Sequence, residues 1–210
     1  MSRTWERVSQ VIPEHLSIHI SNLEIEVMSR IQQLNPKTAQ GPSAELFDSV
    51  QHKLGMVPNM MRAMGNSPAA LGAYLEFSGN LASGSLSSKQ REQIALAVGE
   101  ANSCEYCLAA HSALGKMAGL TPDEIRDARQ GTAVDSKADA MIRFARTLVD
   151  ARGHVSSEQL QSLRDHGFTD GDVAEIVANV ALNLFTNYFN HVAETEVDFP
   201  KAENLDRSAA

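Results

Sequence analysis

Apolar residues along most of the chain recur every three or four positions, the spacing that places side chains on one face of an α-helix. Residues 44–54 show this pattern, with apolar side chains at positions 46, 47, 50 and 54. The same pattern and its flanking polar residues predict further helices over 59–64, 69–83, 88–100, from near 104 to 117 or 118, 122 to just before 131, 136–152, 158–166 and 173–192. The predicted fold class is therefore all-α, a bundle of helices joined by short connections.

Short polar motifs predict where several of these helices begin. Thr121 and Glu124 have the spacing of a capping box, in which the two side chains satisfy each other's backbone N–H groups. Asn102 and Ser103 are both residue types that favour the N-cap position, so we expect a helix to begin near Cys104.

The chain divides into three predicted parts. Residues 1–34 form an N-terminal extension, in which the alternating segments 16–20 and 23–27 indicate either a short hairpin or disorder. Residues 35–200 form the helical domain, and 201–210 form a polar tail. The extension lacks a basic region followed by an unbroken apolar run, so we expect no signal peptide.

Composition excludes some classes of partner. The formal net charge is −8 and the sequence pI is about 5.3, which disfavours binding to nucleic acid or to anionic membranes. No apolar run approaches the roughly 20 residues of a membrane-spanning helix. With two closely spaced cysteines and no export signal, the chain is expected to be cytoplasmic.

The densest chemistry lies within residues 92–111. The only two cysteines, Cys104 and Cys107, form a C-x-x-C motif, and His111 follows four residues after the second. On a helix these spacings put both sulfurs and the imidazole on one face. Glu92 lies on the preceding predicted helix, where a buried carboxylate needs a partner, and His111 is the expected one.

This arrangement favours a reactive thiolate. A helix N-terminus, a neighbouring thiol and a histidine each lower the pKa of a cysteine. One alternative is a zinc site, which would need Cys104, Cys107, His111 and Glu92 together because no second cysteine pair exists. Another alternative is a pair of inert buried thiols. A c-type haem site is excluded because Leu108, not histidine, follows Cys107.

The motif resembles that of the AhpD-like alkylhydroperoxidases within the carboxymuconolactone decarboxylase family. The resemblance rests on Glu92, the C-x-x-C that begins twelve residues further on, and His111. It extends over roughly residues 44–200 through Gly55-Met-Val-Pro-Asn59, Leu86-Ser-Ser-Lys-Gln-Arg-Glu92, Asn187-Tyr-Phe-Asn-His191 and Asp198-Phe-Pro200, which look like the peroxidase-related subgroup. It implies an AhpD-like helical bundle that assembles as a homo-oligomer, a trimer or a hexamer.

The resemblance also implies roles for single residues. Cys107 would be oxidised by the hydroperoxide, Cys104 would resolve the product into a disulfide, and His111 with Glu92 would relay protons. Tyr106 stands where the family's best-studied member has a histidine. Further candidates for the substrate pocket are Asn187, Asn190 and His191, whose alternative role is to satisfy the end of a helix.

The resulting hypothesis is a thiol-dependent peroxidase that needs an external thiol or dithiol reductant and no metal or organic cofactor. Two alternatives stay open. One is a protein-disulfide reductase or redox sensor on the same fold, and the other is a non-enzymatic oligomeric scaffold that retains the motif.

Overall fold

The computed structural model of this chain describes residues 29–205. This part contains no β-strand, so the predicted all-α class is confirmed. Its helices, in chain order, are α1 (Pro42–Leu54), α2 (Asn59–Met64), α3 (Pro68–Ala82), α4 (Ser88–Ala101), α5 (Glu105–Met117), α6 (Pro122–Gln130), α7 (Ser136–Asp150), α8 (Ser157–Asp165) and α9 (Asp170–Ala193). The hairpin predicted within residues 16–27 lies outside the described residues.

The helix boundaries follow local capping chemistry. Four helices begin with complete capping boxes, whose N-cap residues are Ser87, Thr121, Ser156 and Thr169. In each of them a hydroxyl accepts a backbone N–H, and a side chain three residues later accepts the N-cap N–H. These pairs fix where the helices start without any help from distant residues.

Helix α4 lies at the centre of the fold. It packs against α5, α6, α7 and α9, and residues 94–98 are buried all round its circumference. One apolar core surrounds this helix and includes residues of α6, α7, α8 and α9. A second core joins α1, α2 and α3 to the first turns of α5, and it contains both cysteines.

The connection between α4 and α5 differs from the prediction. Neither Asn102 nor Ser103 is the N-cap of α5; Cys104 occupies that position. Asn102 instead ends α4, where its side-chain amide donates to the carbonyl of Val98. Ser103 has a left-handed backbone with φ of 54°, and Cys104 N donates to Gly99 O at 2.9 Å. This is a Schellman-type ending, which satisfies the last carbonyls of α4 and reverses the chain within two residues.

Both ends of the described chain contact the helical domain. Arg30 N donates to Ala193 O at 2.7 Å, and Leu34 N donates to Arg62 O at 3.2 Å. After α9, the chain returns past the start of α2, where Asn59 N donates to Asp198. The domain boundary near residue 35 stays a prediction. Within residues 29–205, no helix is long and apolar enough to cross a membrane.

Candidate active site

The two cysteines lie at the N-terminus of α5. Cys104 is its N-cap residue and Cys107 is in its first turn. Their sulfurs are 2.8 Å apart, and the Cys104 thiol donates a hydrogen bond to Cys107. Both are buried, with exposed fractions of 1% and 2%. The short connection after α4 thus holds the pair close together inside the second core.

The environment gives the two thiols opposite acidities. The pKa of Cys107 falls to about 6, chiefly because Cys104 donates a hydrogen bond to its sulfur. Burial opposes this change, while the positive charge of His111 and the amides of Asn190 and Asn187 support it. The pKa of Cys104 is raised, first by the hydrogen bond to Cys107 and then by burial. The pair therefore holds one thiolate, on Cys107, and one thiol, on Cys104.

Glu92 and His111 meet across the α4–α5 interface, as the sequence predicts. His111 Nδ1 lies 2.8 Å from Glu92 Oε2. Burial alone would lower the pKa of His111, but the Glu92 carboxylate and the charge of Cys107 outweigh it, so the pKa is raised. Because a carboxylate accepts the hydrogen bond, Nδ1 carries the proton and Nε2 stays available for other chemistry.

Gly115 of α5 packs closely against the segment that follows that helix. A Cβ at this position would lie only 3.0 Å from Leu120 Cδ1, whereas its distance of 3.9 Å from Glu92 Cβ would be an ordinary contact. The glycine therefore makes room for Leu120 rather than for Glu92.

Two of the three candidates on α9 lie beside the sulfurs. Asn190 Nδ2 donates to Cys107 Sγ at 3.3 Å. Asn187 is fully buried, and its Oδ1 accepts a hydrogen bond from Asn102 at 2.9 Å. Its Nδ2 has no partner within hydrogen-bond distance among the described residues, and its amide helps to lower the pKa of Cys107. His191, in contrast, is exposed, and none of the three candidates lines the cavity described below.

Tyr106 anchors the C-terminal segment to α2. Its hydroxyl donates to Asp198 Oδ1 at 2.8 Å and accepts from Met60 N at 3.2 Å. The other carboxylate oxygen of Asp198 accepts from Asn59 N at 2.8 Å. Burial raises the pKa of Tyr106, and the Asp198 carboxylate adds to this effect. The hydroxyl of Tyr106 is thus already paired on both its donor and its acceptor side.

A cavity of about 320 Å³ reaches the cysteine pair, and Cys107 lines it whereas Cys104 does not. His111, Tyr106 and Thr186 also contribute to its wall, which is otherwise mostly apolar. The sulfur that carries the negative charge is therefore the one that a small molecule can meet.

Sequence reasoning missed several residues of this site. Tyr74 of α3 belongs to no motif, yet it lines the cavity, and burial raises its pKa to about 12. Asn102 was expected to cap α5, yet it orients Asn187. Asp198 was noted only within the Asp198-Phe-Pro200 motif, and that motif was the one available signal for it.

The residues considered for a zinc site do not form a cluster of metal ligands. In the part of the chain that the structure describes, no three side chains of histidine, cysteine, aspartate or glutamate are grouped so that they could hold a metal ion. Glu92 and His111 pair with each other instead.

Solved structures with similar folds are peroxidase-related proteins and a debrominase. The AhpD-core, uncharacterized peroxidase-related protein of Ralstonia eutropha JMP134 is 26% identical, with a TM-score of 0.74 over 81% of this chain and 93% of that one. An uncharacterized peroxidase-related protein of Silicibacter sp. TM1040 is also 26% identical, with a TM-score of 0.71 over 82% and 94%. The debrominase Bmp8, solved with 2,3,4-tribromopyrrole, is 19% identical, with a TM-score of 0.67 over 81% and 94%, and shares the fold.

Sequence comparison agrees with these structural matches. No curated protein matches the chain. The model of the carboxymuconolactone decarboxylase family matches residues 68–151, a range that contains Glu92, both cysteines and His111. This stretch of the chain is thus similar to the carboxymuconolactone decarboxylase family, and the fold is similar to that of AhpD-like, peroxidase-related proteins.

Proposed function

We propose that the protein is a thiol-dependent hydroperoxide reductase that cycles Cys104 and Cys107 between dithiol and disulfide. One observation carries this proposal: the cysteine that lines the cavity is also the one whose pKa is lowered to about 6. At neutral pH that sulfur is a thiolate, which is the nucleophilic form. Similarity to the carboxymuconolactone decarboxylase family and to peroxidase-related proteins supports an enzymatic, antioxidant role.

In the first step the Cys107 thiolate attacks the terminal oxygen of the hydroperoxide. The O–O bond breaks and a sulfenic acid forms on Cys107, so that the sulfur is oxidised and the peroxide is reduced. The leaving alkoxide takes a proton from the imidazolium of His111 and departs as the alcohol. Glu92 holds the imidazole by Nδ1 and stabilises its charged form, which keeps that proton available near neutral pH.

In the second step Cys104 resolves the sulfenic acid. Its sulfur attacks Cys107 Sγ, the S–O bond breaks, and hydroxide leaves. The proton of the Cys104 thiol passes to His111, now neutral, and then to the hydroxide, which gives water. An external thiol or dithiol then supplies two electrons and two protons and restores both thiols.

The two alternative functions, a protein-disulfide reductase and a non-enzymatic scaffold, predict different surroundings for the sulfurs. A protein-disulfide reductase needs a sulfur that a folded partner can reach, but both sulfurs here are buried and only a cavity leads to Cys107. A scaffold that merely retains the motif needs no lowered thiol pKa. The geometry therefore supports a small oxidant.

Turnover assays test the proposal. The reduced protein, supplied with cumene hydroperoxide and dithiothreitol, should consume peroxide well above the rate of dithiothreitol alone, and Cys107→Ser should lose this activity. Insulin disulfide reduction, measured in parallel, should stay near background. Rapid insulin reduction without peroxide turnover would favour the reductase alternative.

We also propose where the protein acts and how it assembles. We expect it to be cytoplasmic and to form a homo-oligomer, either a trimer or a hexamer. Light scattering coupled to size-exclusion chromatography measures the mass of the assembly directly, and a monomeric mass would contradict the expectation.

A further inference from the structure

The cavity at Cys107 is elongated along α5. Cys107, Ala110, His111, Leu114 and Met117 all line it, and their spacing of three and four places them on one face of that helix. At a rise of 1.5 Å per residue, the face from Cys107 to Met117 extends over about 15 Å. A substrate that fills the cavity is therefore long rather than compact.

The two ends of this cavity differ in exposure. The inner end holds buried Cys107 and Tyr106, whereas at the outer end Met117 is 83% exposed and Leu54 is 50% exposed. The opening thus lies between the end of α1 and the end of α5. Large apolar side chains grouped at the mouth of a cavity indicate a binding surface for an apolar ligand.

A single lysine adds charge to this mouth. Lys53 is exposed in the last turn of α1 and lines the same cavity. Within residues 29–205 its ammonium group makes no ion pair and no hydrogen bond. The other charged side chains of the lining are His111 and the Cys107 thiolate, which lie away from Lys53 at the inner end, and no carboxylate lines the cavity. On a chain with a net charge of −8, this positive, apolar mouth is suited to an anion with an apolar body.

We propose that the cavity binds organic hydroperoxides that carry a carboxylate at the end remote from the peroxide. Lys53 pairs with the carboxylate at the mouth, the apolar wall covers the body, and the hydroperoxide reaches Cys107. This inference rests on the proposed function and specifies its substrate class. The carboxylate is unchanged in the reaction; the O–O bond is reduced to an alcohol and water as the two thiols become a disulfide.

Matched substrates test the role of Lys53. The ratio of kcat/KM for a medium-chain ω-hydroperoxy carboxylate to that for its methyl ester is measured at low ionic strength, below the micellar concentration. We expect the wild type to favour the carboxylate about two- to fivefold, as a partly exposed ion pair allows. The preference should shrink as salt is added. Lys53→Gln should abolish it, and Lys53→Glu should reverse it.

Lys37→Gln is the matched control, because it removes an exposed lysine that does not line the cavity. It should keep the wild-type ratio. An equal rate for both substrates in the wild type, or an unchanged ratio in Lys53→Gln, would overturn the inference and leave the proposed function standing.

A binding assay separates this inference from the proposed function. Decanoate should slow the alkylation of Cys107 by iodoacetamide in the wild type, methyl decanoate should slow it less, and Lys53→Gln should remove the difference. Such protection without turnover of either hydroperoxide would refute the proposed function but keep the carboxylate site. The absence of any difference between the two compounds would refute the site.

Discussion

The side-chain amide of Asn190 donates a hydrogen bond to the sulfur of Cys107 across 3.3 Å, although the two residues are 83 positions apart in the chain. An amide N–H that points at a sulfur favours the thiolate over the thiol. Asn190 thus links the long helix α9 to the acidity of a cysteine on α5.

Asn190→Ala should raise the pKa of Cys107. Loss of one hydrogen bond to a charged group, at about 1.5 kcal/mol, corresponds to a rise of about one pH unit. The thiolate absorbance, or the rate of alkylation as a function of pH, measures this change. Asn179→Ala removes another buried asparagine of α9, whose side-chain amide donates to the backbone carbonyl of Glu175, and it should leave the pKa of Cys107 unchanged. Equal effects of the two variants would contradict the role of Asn190 in lowering the pKa of Cys107.

The rate of peroxide reduction should depend on pH through Cys107 and His111. Activity should fall as the pH drops through about 6, because Cys107 then takes up a proton. It should also fall at high pH, above the raised pKa of His111, because the imidazolium that protonates the alkoxide is lost. A bell-shaped profile of kcat/KM is therefore expected.

Glu92→Gln should shift chiefly the alkaline side of that profile. Without the carboxylate the pKa of His111 falls, so activity is lost at a lower pH than in the wild type. Glu124→Gln is a suitable control, because glutamine can keep the capping box of α6 and the site lies elsewhere. An alkaline limb that does not move in Glu92→Gln would rule out the proposed relay.

Removal of Cys104 should leave the reaction without its resolving step. Cys104→Ser should accumulate a sulfenic acid on Cys107, detectable by dimedone labelling, and excess peroxide should convert it to sulfinic acid. A serine hydroxyl can still donate to Cys107, whereas Cys104→Ala cannot, so only the alanine variant should strongly raise the pKa of Cys107. Continued catalytic turnover by Cys104→Ser would show that Cys104 does not resolve the sulfenic acid on Cys107.

Much of the fold follows from signals that span four residues. The capping boxes at Thr121 and Ser87 specify where α6 and α4 begin, because both partners are neighbours in the chain. The pairing of Glu92 with His111 was also predictable, since a carboxylate on an apolar helix needs a partner and the histidine shares a face with the cysteines.

The remaining features depend on contacts between distant residues. The hydrogen bond of Tyr106 to Asp198 joins positions 92 residues apart, and no periodicity encodes such a meeting. The N-cap of α5 was predicted wrongly because propensity favours asparagine and serine there. The tight reversal after α4 uses both residues to end that helix instead, which leaves Cys104 to begin the next one.

Tyr106→Phe should destabilise the protein more than it alters the chemistry of Cys107. The change leaves the N–H of Met60 and one carboxylate oxygen of Asp198 without their partner, at a cost of about 1–3 kcal/mol. Urea unfolding measures the free energy, and alkylation reports the pKa of Cys107, which should change little. Tyr188→Phe, at an exposed position, should affect neither quantity. Lost peroxide turnover with unchanged stability would instead make the Tyr106 hydroxyl a proton donor.

The most direct test of the account is a single turnover without any external reductant. Reduced, desalted protein receives one equivalent of cumene hydroperoxide, and the alcohol and the state of both cysteines are measured by chromatography and peptide mass spectrometry. The account predicts one alcohol per chain, loss of both thiols to a Cys104–Cys107 disulfide, and no product from Cys107→Ser. Peroxide consumption by Cys107→Ser at the wild-type rate, or alcohol formation with both thiols intact, would contradict it.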